Sequence, residues 1–231
     1  MLNELKISVF KANLDLVGHG LVIHTWGNAS GRDGSSGMIV IKPSGIPYET
    51  MRPEDMVVLN PDGKVIEGDN KPSTDAPTHL FLYRKYDSLG GIVHTHSSYA
   101  TSWAQAGKEI LPFGTTHADH FYGPVPCSRK LRRKEILGDY EVNTGKVIVE
   151  TLKYIDPLDV PAVLVNSHGP FCWGINVDEA VYNAVALEEI ARMAFYTLLL
   201  GRTEPVDQYL LEKHFTRKHG KDAYYGQKTP N

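Results

Sequence analysis

The stretch Gly91-Ile92-Val93-His94-Thr95-His96-Ser97 decides how this chain of 231 residues is interpreted. Its apolar start predicts a strand from Ile92 to Thr95, and Ser97 is the predicted cap of the helix that follows. Because side chains alternate between the two faces of a strand, His94 and His96 are expected to project on the same side. Neutral imidazole is the commonest protein ligand of zinc and similar metals, so the pair is a candidate half of a metal site.

Short predicted strands and helices surround this stretch. The predicted helices are an N-terminal one carrying Leu2, Leu5, Val9, Ala12 and Leu16, one with Pro77 in its first turn that reaches about Tyr86, one from Ser97 to about Ala106, and a long one from Asn176 to Gly201. The predicted strands are Leu21 to Trp26, Met38 to Lys42, Asp55 to Leu59, Lys64 to Ile66, Ile92 to Thr95, Val147 to Leu152 and Ala162 to Val165. Since they lack a regular βαβ alternation, an α/β fold with a mixed sheet covered by helices is favoured over a doubly wound parallel sheet.

Length and composition place the chain among ordinary globular proteins. We find no repeat or linker, so a single domain over residues 1–231 is predicted, with residues 228–231 as a disordered tail. The net charge of -3 gives no general attraction to nucleic acid or to an anionic membrane, and neither partner is expected. No signal peptide or transmembrane helix is expected. Cys127 and Cys172 match no zinc or redox spacing, which favours reduced thiols in a cytoplasmic protein.

Two further residues are candidates to complete a metal site around the histidine pair. Asp75 precedes a predicted helix and His168 follows a predicted strand, and groups at such ends often converge at one edge of a sheet. Three imidazoles and one carboxylate would suit zinc, with manganese or cobalt as substitutes. Position alone leaves open that Asp75 only caps its helix and that the histidines are surface residues. The other possible partners are His79, His117 and His120.

Several separated motifs resemble the class II aldolase/adducin family. They are Thr25-Trp26-Gly27-Asn28-Ala29-Ser30, Ile41-Lys42-Pro43-Ser44-Gly45, Lys71-Pro72-Ser73-Thr74-Asp75, Gly91-Ile92-Val93-His94-Thr95-His96 and Ser167-His168-Gly169-Pro170. Within the family, two segments are similar to the L-ribulose-5-phosphate 4-epimerases: Gly114-Thr115-Thr116-His117-Ala118-Asp119 and Arg217-Lys218-His219-Gly220-Lys221-Asp222-Ala223-Tyr224-Tyr225-Gly226. The resemblance runs from the first helix to Gln227, nearly the whole chain.

This resemblance implies a zinc enzyme, with one ion per subunit, and a three-layer α/β/α fold whose central sheet is mixed but mostly antiparallel. It also implies a phosphosugar substrate and a cyclic homotetramer with active sites at subunit interfaces. The implied activity is an isomerase activity: interconversion of L-ribulose 5-phosphate and D-xylulose 5-phosphate by breaking and re-forming the C3–C4 bond. Arabinose catabolism and ascorbate catabolism could both use such a step.

Carried over to this sequence, the resemblance assigns three groups of residues. The zinc ligands fall on Asp75, His94, His96 and His168. The two acid/base groups fall on Asp119 and Tyr225, with the C-terminal segment expected to cross to the neighbouring subunit. The phosphosugar-binding loops fall on Gly27, Asn28, Lys42, Ser44, Gly45, Ser73 and Thr74, where the family usually has Ser in place of Thr74. His214 lies in a basic run that is more typical of a solvated helix face than of a substrate contact.

Two other functions are considered. A class II sugar-phosphate aldolase of the same family, similar to the fuculose-phosphate enzymes, would carry a glutamate where this chain has Asp75, and the shorter Asp is better placed to ligate a metal than to act as a base. A non-catalytic, adducin-like binding module would not need to keep the histidines together with Asp119 and Tyr225. Both features favour the epimerase.

Overall fold

The computed structural model describes residues 2–219 and 223–225, and its centre is one sheet of seven strands. The strands are β1 (Gly27–Arg32), β2 (Ile39–Ile41), β3 (Val57–Leu59), β4 (Val65–Glu67), β5 (Gly91–Thr95), β6 (Ala162–Val165) and β7 (Gly169–Gly174). Their order across the sheet is β4-β3-β2-β1-β5-β7-β6, and each neighbouring pair is antiparallel. The strand that carries the histidine pair therefore lies near the middle, between β1 and β7.

Helices cover both faces of this sheet. They are α1 (Asn3–Gly18), α2 (Ala76–Lys85), α3 (Ser98–Ala106), α4 (Thr115–Ala118), α5 (Arg133–Leu137), α6 (Tyr140–Thr151), α7 (Val177–Leu199) and α8 (Gln208–Lys218). Buried residues of α1, α3 and α7 form one hydrophobic cluster with one face of the sheet, and those of α2 and α6 form a second cluster with the other. The predicted three-layer α/β/α fold is confirmed.

The alternation along β5 decides which layer receives the functional side chains. Val93 belongs to the cluster of α1, α3 and α7, whereas Ile92 and Phe171 belong to the cluster of α2 and α6. His94 stacks on Phe171 and so lies on the α2 and α6 side. This face is where the starts of α2 and α6 approach the end of the strand.

Two predicted strands are wrong. The segment from Val147 to Leu152 belongs almost entirely to α6. The buried residues of this helix include Thr144, Val147 and Ile148, which recur at helical spacing and pack towards α2. Leu21 to Trp26 is a turn region in which Ile23 and Trp26 are 56% and 53% exposed, so apolar composition there does not report a buried strand. The strand begins instead at Gly27.

Strand β7 has no counterpart among the predicted strands. Its sequence, Gly169-Pro-Phe-Cys-Trp-Gly174, is flanked and interrupted by residues that ordinarily mark turns, yet all six residues are buried. It lies between β5 and β6, and pairing on both edges overrides the local signal. The remaining predicted helices and strands are present within two residues of their predicted bounds.

The helix caps show which sequence signals were reliable. Asn176, the predicted start of α7, caps the helix by accepting a hydrogen bond from Glu179 N at 2.8 Å, and the Glu179 carboxylate accepts one from Ile175 N. Ser97 occupies the N-cap of α3 without a side-chain capping bond. Glu188 of α7 replaces it, accepting from the backbone of Tyr99 and Ala100.

No helix in the described ranges is both long and apolar enough to cross a membrane. The single domain over residues 1–231 stays a prediction, and the predicted tail at residues 228–231 lies outside the described residues.

Candidate active site

Three imidazoles meet at the C-terminal end of strand β5. His94 is the last residue but one of that strand, His96 directly follows it, and His168 lies in the turn between β6 and β7. The Nε2 atoms of His94 and His96 are 3.2 Å apart, and the His168 ring centroid is 4.7 Å from that of His94 and 5.1 Å from that of His96. One ring nitrogen from each residue lies within 4.8 Å of the others. The three histidines predicted as ligands are therefore brought together.

Neighbouring groups fix the orientation of His94. Its Nδ1 lies 2.9 Å from the carbonyl oxygen of Pro170, which must accept a hydrogen bond from an Nδ1–H. In the neutral ring this bond leaves Nε2, which lies 3.2 Å from His96 Nε2, as the unprotonated nitrogen that a ligating histidine needs. The ring also stacks on Phe171 at a centroid distance of 4.2 Å. Because both contacts come from β7, the unpredicted strand sets the geometry of the predicted ligand.

His168 is presented by an unusual turn. Ser167, just before it, has a left-handed backbone with φ of 62°, which a residue other than glycine adopts only when the surroundings require it. Burial, reinforced by His94 and His96, lowers the pKa of His168 to about 3. Burial also lowers the pKa of His96. These two imidazoles are therefore neutral near pH 7, the form that binds metal, and the donor set fits zinc or a related divalent ion.

Asp75 lies beside this cluster without being part of the three-histidine group. It occupies the N-cap of α2 but makes no capping bond with its side chain, so the alternative that it is only a helix cap is not supported. Its Oδ2 accepts a hydrogen bond of 2.7 Å from Asn28 Nδ2. Burial opposes its ionisation, but His94, His79 and the Asn28 bond outweigh burial and lower its pKa. A half-buried, ionised carboxylate beside the imidazoles matches a fourth ligand, and that role stays a prediction.

The other histidines that were open as partners lie elsewhere. His79 is fully buried, with Nδ1 2.7 Å from Ser30 Oγ. His117 Nε2 lies 2.7 Å from the carbonyl oxygen of Gly123, which accepts its hydrogen bond. The His120 ring packs against Tyr182. None of the three belongs to the ligand cluster formed by the described residues.

A cavity of about 470 Å³ opens onto the histidines. Its lining residues are Thr25, Trp26, Gly27, Thr74, Asp75, His94, His96, Tyr140, Glu141 and His168. Six of these were predicted site residues, and Thr25, Trp26, Tyr140 and Glu141 were missed. Tyr140 and Glu141 open α6, and the hydroxyl of Tyr140 is 3.4 Å from His168 Nδ1. The sequence analysis missed Tyr140 and Glu141 because it did not predict a helix that begins there.

The two predicted phosphate loops run side by side next to this cavity. Ser73 N donates to Lys42 O and Ser44 N donates to Lys71 O, each at 2.9 Å. Gly45 takes a left-handed backbone with φ of 70° that suits glycine. Thr74 lines the cavity, and Ser73 Oγ accepts from Asp75 N at 3.3 Å. The loops therefore offer hydroxyls close to the start of α2.

Lys42 does not reach into the cavity. Its ammonium group lies 3.1 Å from the carbonyl of Ile46 and 3.3 Å from that of Pro43, and it sits 4.7 Å from the centroid of the Tyr48 ring. Burial lowers its pKa. Contact with a phosphate would require this side chain to change partners, so its predicted role remains untested.

The predicted acid/base residues form a separate group, which we call the Asp119 cluster: Asp119, His214, Arg217, Lys218 and Tyr225. Arg217 holds the carboxylate through Nε at 3.0 Å and Nη2 at 2.6 Å, and His214 Nδ1 donates to it at 3.0 Å. The Tyr225 ring lies against the Arg217 guanidinium. Burial opposes ionisation of Asp119, but the bonds from Arg217 and His214 outweigh it and lower its pKa.

Asp119 and Tyr225 are thus near each other, and neither lines the cavity of the described chain. His214, predicted to lie on a solvated helix face, is instead mostly buried against Asp119. The basic residues of α8 were counted as surface charge because the sequence does not reveal that Asp119 faces them.

Comparisons with known proteins agree with this architecture. The family described as Class II Aldolase and Adducin N-terminal domain matches residues 7–195. Proteins from Salmonella paratyphi B and Salmonella typhi, both called L-ribulose-5-phosphate 4-epimerase UlaF, are 56% identical over 228 residues, which is 98% of this chain and 100% of each relative.

Among solved structures, an L-fuculose 1-phosphate aldolase is similar with a TM-score of 0.79 at 24% identity, covering 93% of this chain and 95% of that one. An L-fuculose-1-phosphate aldolase from Thermus thermophilus is similar with a TM-score of 0.68 at 22% identity, covering 88% and 98%. At these identities the two structures support the fold alone. The family match and the sequence relatives together show that the chain belongs to the class II aldolase and adducin family.

Proposed function

We propose that this chain is a zinc-dependent isomerase that interconverts L-ribulose 5-phosphate and D-xylulose 5-phosphate, inverting C4. The observation that carries the proposal is the three-histidine cluster on the cavity of a chain that is 56% identical, over nearly its whole length, to proteins called L-ribulose-5-phosphate 4-epimerase. We also propose a cytoplasmic location, in keeping with two free cysteines.

The chemistry explains why such an enzyme would need this site. The C4 proton of a ketopentose phosphate is not next to the C2 carbonyl and is therefore not acidic. If the C3–C4 bond breaks instead, its electrons spread from C3 into the C2 carbonyl as an enediolate. The released glycolaldehyde phosphate can rotate and present its other face before the bond re-forms. Net inversion follows without oxidation, so a nicotinamide is not needed, and the sequence has no GxGxxG motif.

His94, His96, His168 and Asp75 would hold the metal. When bound there, a divalent cation would act as a Lewis acid for the oxygens of the enediolate. The chain's own contribution is to hold the His94 ring in the tautomer and orientation that ligation needs, through its bond to Pro170 and its packing on Phe171. Manganese or cobalt would be acceptable substitutes for zinc.

Proton transfer at the C4 oxygen would fall to Asp119 and Tyr225. One group removes the proton from the C4 hydroxyl before cleavage, and the other protonates the new C4 alkoxide on the opposite face. Asp119 is suited to be the base because its neighbours hold it ionised. The phosphate would be held by the hydroxyls and backbone N–H groups of the loops at Ser44-Gly45 and Ser73-Thr74, with Gly27, Asn28 and Lys42 nearby.

This division of labour requires a second subunit. Since Asp119 and Tyr225 do not line the cavity of their own chain, a neighbouring copy would have to supply them. We therefore propose a homotetramer with its active sites at subunit interfaces. The supporting observation is that the two groups are gathered in one cluster, so a single contact could deliver both.

The alternatives are an aldolase of the fuculose-phosphate type and an adducin-like binding module. The aldolase structures are similar in fold, but Asp75 accepts a bond from Asn28 and faces the histidines, a position suited to ligation. A binding module gives no reason for three ring nitrogens to converge.

Metal analysis combined with turnover tests the proposal. The purified protein should contain about one zinc per chain and convert L-ribulose 5-phosphate to D-xylulose 5-phosphate, with activity lost to a chelator and regained on adding zinc. Net release of glycolaldehyde phosphate without C4 inversion would favour the aldolase. Full metal loading without any turnover of the pentulose phosphate would contradict the epimerase.

A further inference from the structure

Arg217 contacts both residues of the proposed acid/base pair. Its guanidinium donates from Nε to Asp119 Oδ1 at 3.0 Å and from Nη2 to Asp119 Oδ2 at 2.6 Å. Its Cζ also lies 5.1 Å from the centroid of the Tyr225 ring. The carbonyl oxygen of Arg217 accepts from the backbone N–H groups of Tyr224 and Tyr225, at 3.0 and 2.9 Å. One residue of α8 therefore touches the carboxylate, the phenol ring and the backbone that carries the phenol.

We propose that Arg217 is a positioning residue of the reaction: it holds the Asp119 carboxylate and the Tyr225 ring in a fixed relation, so that both reach the substrate as one unit. This inference rests on the proposed function, which makes Asp119 and Tyr225 the proton-transfer groups. Arg217 itself has no part in bond making.

The surroundings explain why such a residue is needed. Asp119 follows the four-residue helix α4, and Tyr225 lies beyond the end of α8, so neither is fixed by a strand or a long helix. Within the described ranges, the recorded contacts of Tyr225 go to Arg217 and Lys218 of α8. The tyrosine is 62% exposed and gains little from burial. Its place depends on these contacts.

Arg217 and Lys218 differ in what they can do for Asp119. A planar guanidinium binds both oxygens of a carboxylate and fixes its plane, whereas an ammonium is a compact charge that does not. Lys218 Nζ is 3.6 Å from Asp119 Oδ2, a longer contact that adds charge without orientation. The orienting function therefore belongs to Arg217.

The charges facing Asp119 are mostly basic or imidazole groups. They are Arg217, Lys218 and His214 from α8, His219 directly after it, and His120 next to Asp119 in the chain. Removing the guanidinium takes away both of its hydrogen bonds to Asp119, which help to lower the pKa of that carboxyl. The pKa of Asp119 should then rise. In the direction of the reaction in which Asp119 acts as the base, the acid limb of the pH–rate profile should therefore move to higher pH.

The test compares Arg217→Lys and Arg217→Ala with the wild type as zinc-loaded full-length enzyme. For Arg217→Lys we expect kcat to fall roughly tenfold or more, less than the roughly hundredfold or greater loss for Asp119→Asn or Tyr225→Phe. KM should stay within about twofold, because the cavity is untouched. In Arg217→Ala, kcat should fall further and should recover in part when guanidinium ion is added. A general loss of structure would not permit this rescue.

Two variants serve as controls. Arg192 of α7 grips Glu189 with the same two nitrogens, Nε at 2.9 Å and Nη2 at 2.6 Å, and touches neither acid/base residue, so Arg192→Lys should retain wild-type kcat. Lys218→Ala removes a positive charge near Asp119 and should cost less than Arg217→Lys.

Three results would overturn the proposal. If Arg217→Lys keeps kcat and the pH profile of the wild type while Asp119→Asn and Tyr225→Phe are impaired, Arg217 has no positioning role and the proposed function stands. If Lys218→Ala lowers kcat as much as Arg217→Lys does, the local positive charge is responsible, and not the two-point contact of the guanidinium with the carboxylate. If Asp119→Asn and Tyr225→Phe are both fully active, the acid/base assignment fails and the role of Arg217 fails with it.

Discussion

Replacing Gly91 by alanine should damage both stability and the metal site. Gly91 opens β5, and the start of α7 crosses directly over it. A Cβ at this position would lie 2.4 Å from Asn176 O and 2.4 Å from Val177 Cα. These distances are about 1 Å shorter than ordinary contacts between such atoms. The sequence needs glycine here for space and not for a left-handed backbone.

The size of the effect follows from what the new methyl group would meet. Both atoms belong to the backbone, so no side chain can rotate away and either β5 or α7 must shift. Overpacking that moves backbone typically costs about 1–3 kcal/mol and sometimes more, and we expect a loss in unfolding free energy at or above the upper end, ~3 kcal/mol. Because His94 is three residues further along β5 and pairs with Asn28 of β1, the shift should also weaken metal binding.

Urea unfolding at several protein concentrations, together with zinc content after dialysis, would measure both effects. Gly18→Ala is the matched control: it lies at the end of α1, and no atom is within 4 Å of its added Cβ. It should leave zinc content unchanged and alter stability by about 1 kcal/mol or less. A Gly91→Ala protein within about 0.5 kcal/mol of the wild type, with full zinc content, would refute the packing argument.

Two further predictions concern charge. Asp75→Asn should weaken zinc binding more than Asp119→Asn, because only Asp75 lies beside the histidines. Equilibrium competition with a chromogenic chelator measures the zinc affinity of each variant. The opposite order of affinities would refute the ligand assignment. Burial lowers the pKa of His117 to about 4 from its usual 6.5, so protonation favours the unfolded chain, and stability should be complete above pH 6.5 and fall as the pH drops towards 4. This group alone should cost about 2 kcal/mol at pH 5, and His117→Gln should flatten the decline between pH 7 and 5 in urea unfolding, whereas an unchanged decline would contradict its assignment.

The sequence was informative where a local pattern carries its own physical cause. The alternation in β5 placed His94 and His96 on one side, and the strands predicted from Asp55 to Leu59 and from Lys64 to Ile66 are present as the paired strands β3 and β4. The long helix predicted from Asn176 to Gly201 is α7, because helical periodicity of apolar residues follows directly from burial on one side. Such patterns need no knowledge of distant neighbours.

The errors occurred where a distant part of the chain overrode the local pattern. β7 looked like a series of turns, but pairing on both of its edges makes it a buried strand. The apolar run in α6 resembled a strand until its contacts with α2 and the sheet were known. Tyr140 and Glu141 were missed for the same reason, since only tertiary packing turns the start of that helix towards His168.

The sequence by itself determined which residues are able to do the chemistry: histidines at a strand end, a carboxylate before a helix, and hydroxyl-rich turns. These are properties of residue type and of local spacing. Only the tertiary structure decided how they are grouped, with the histidines meeting on a cavity while Asp119 and Tyr225 gather on Arg217. Position in sequence does not fix that grouping. A hydrogen bond or a metal site depends on the distance in space between segments, and these segments are up to about a hundred residues apart in the chain.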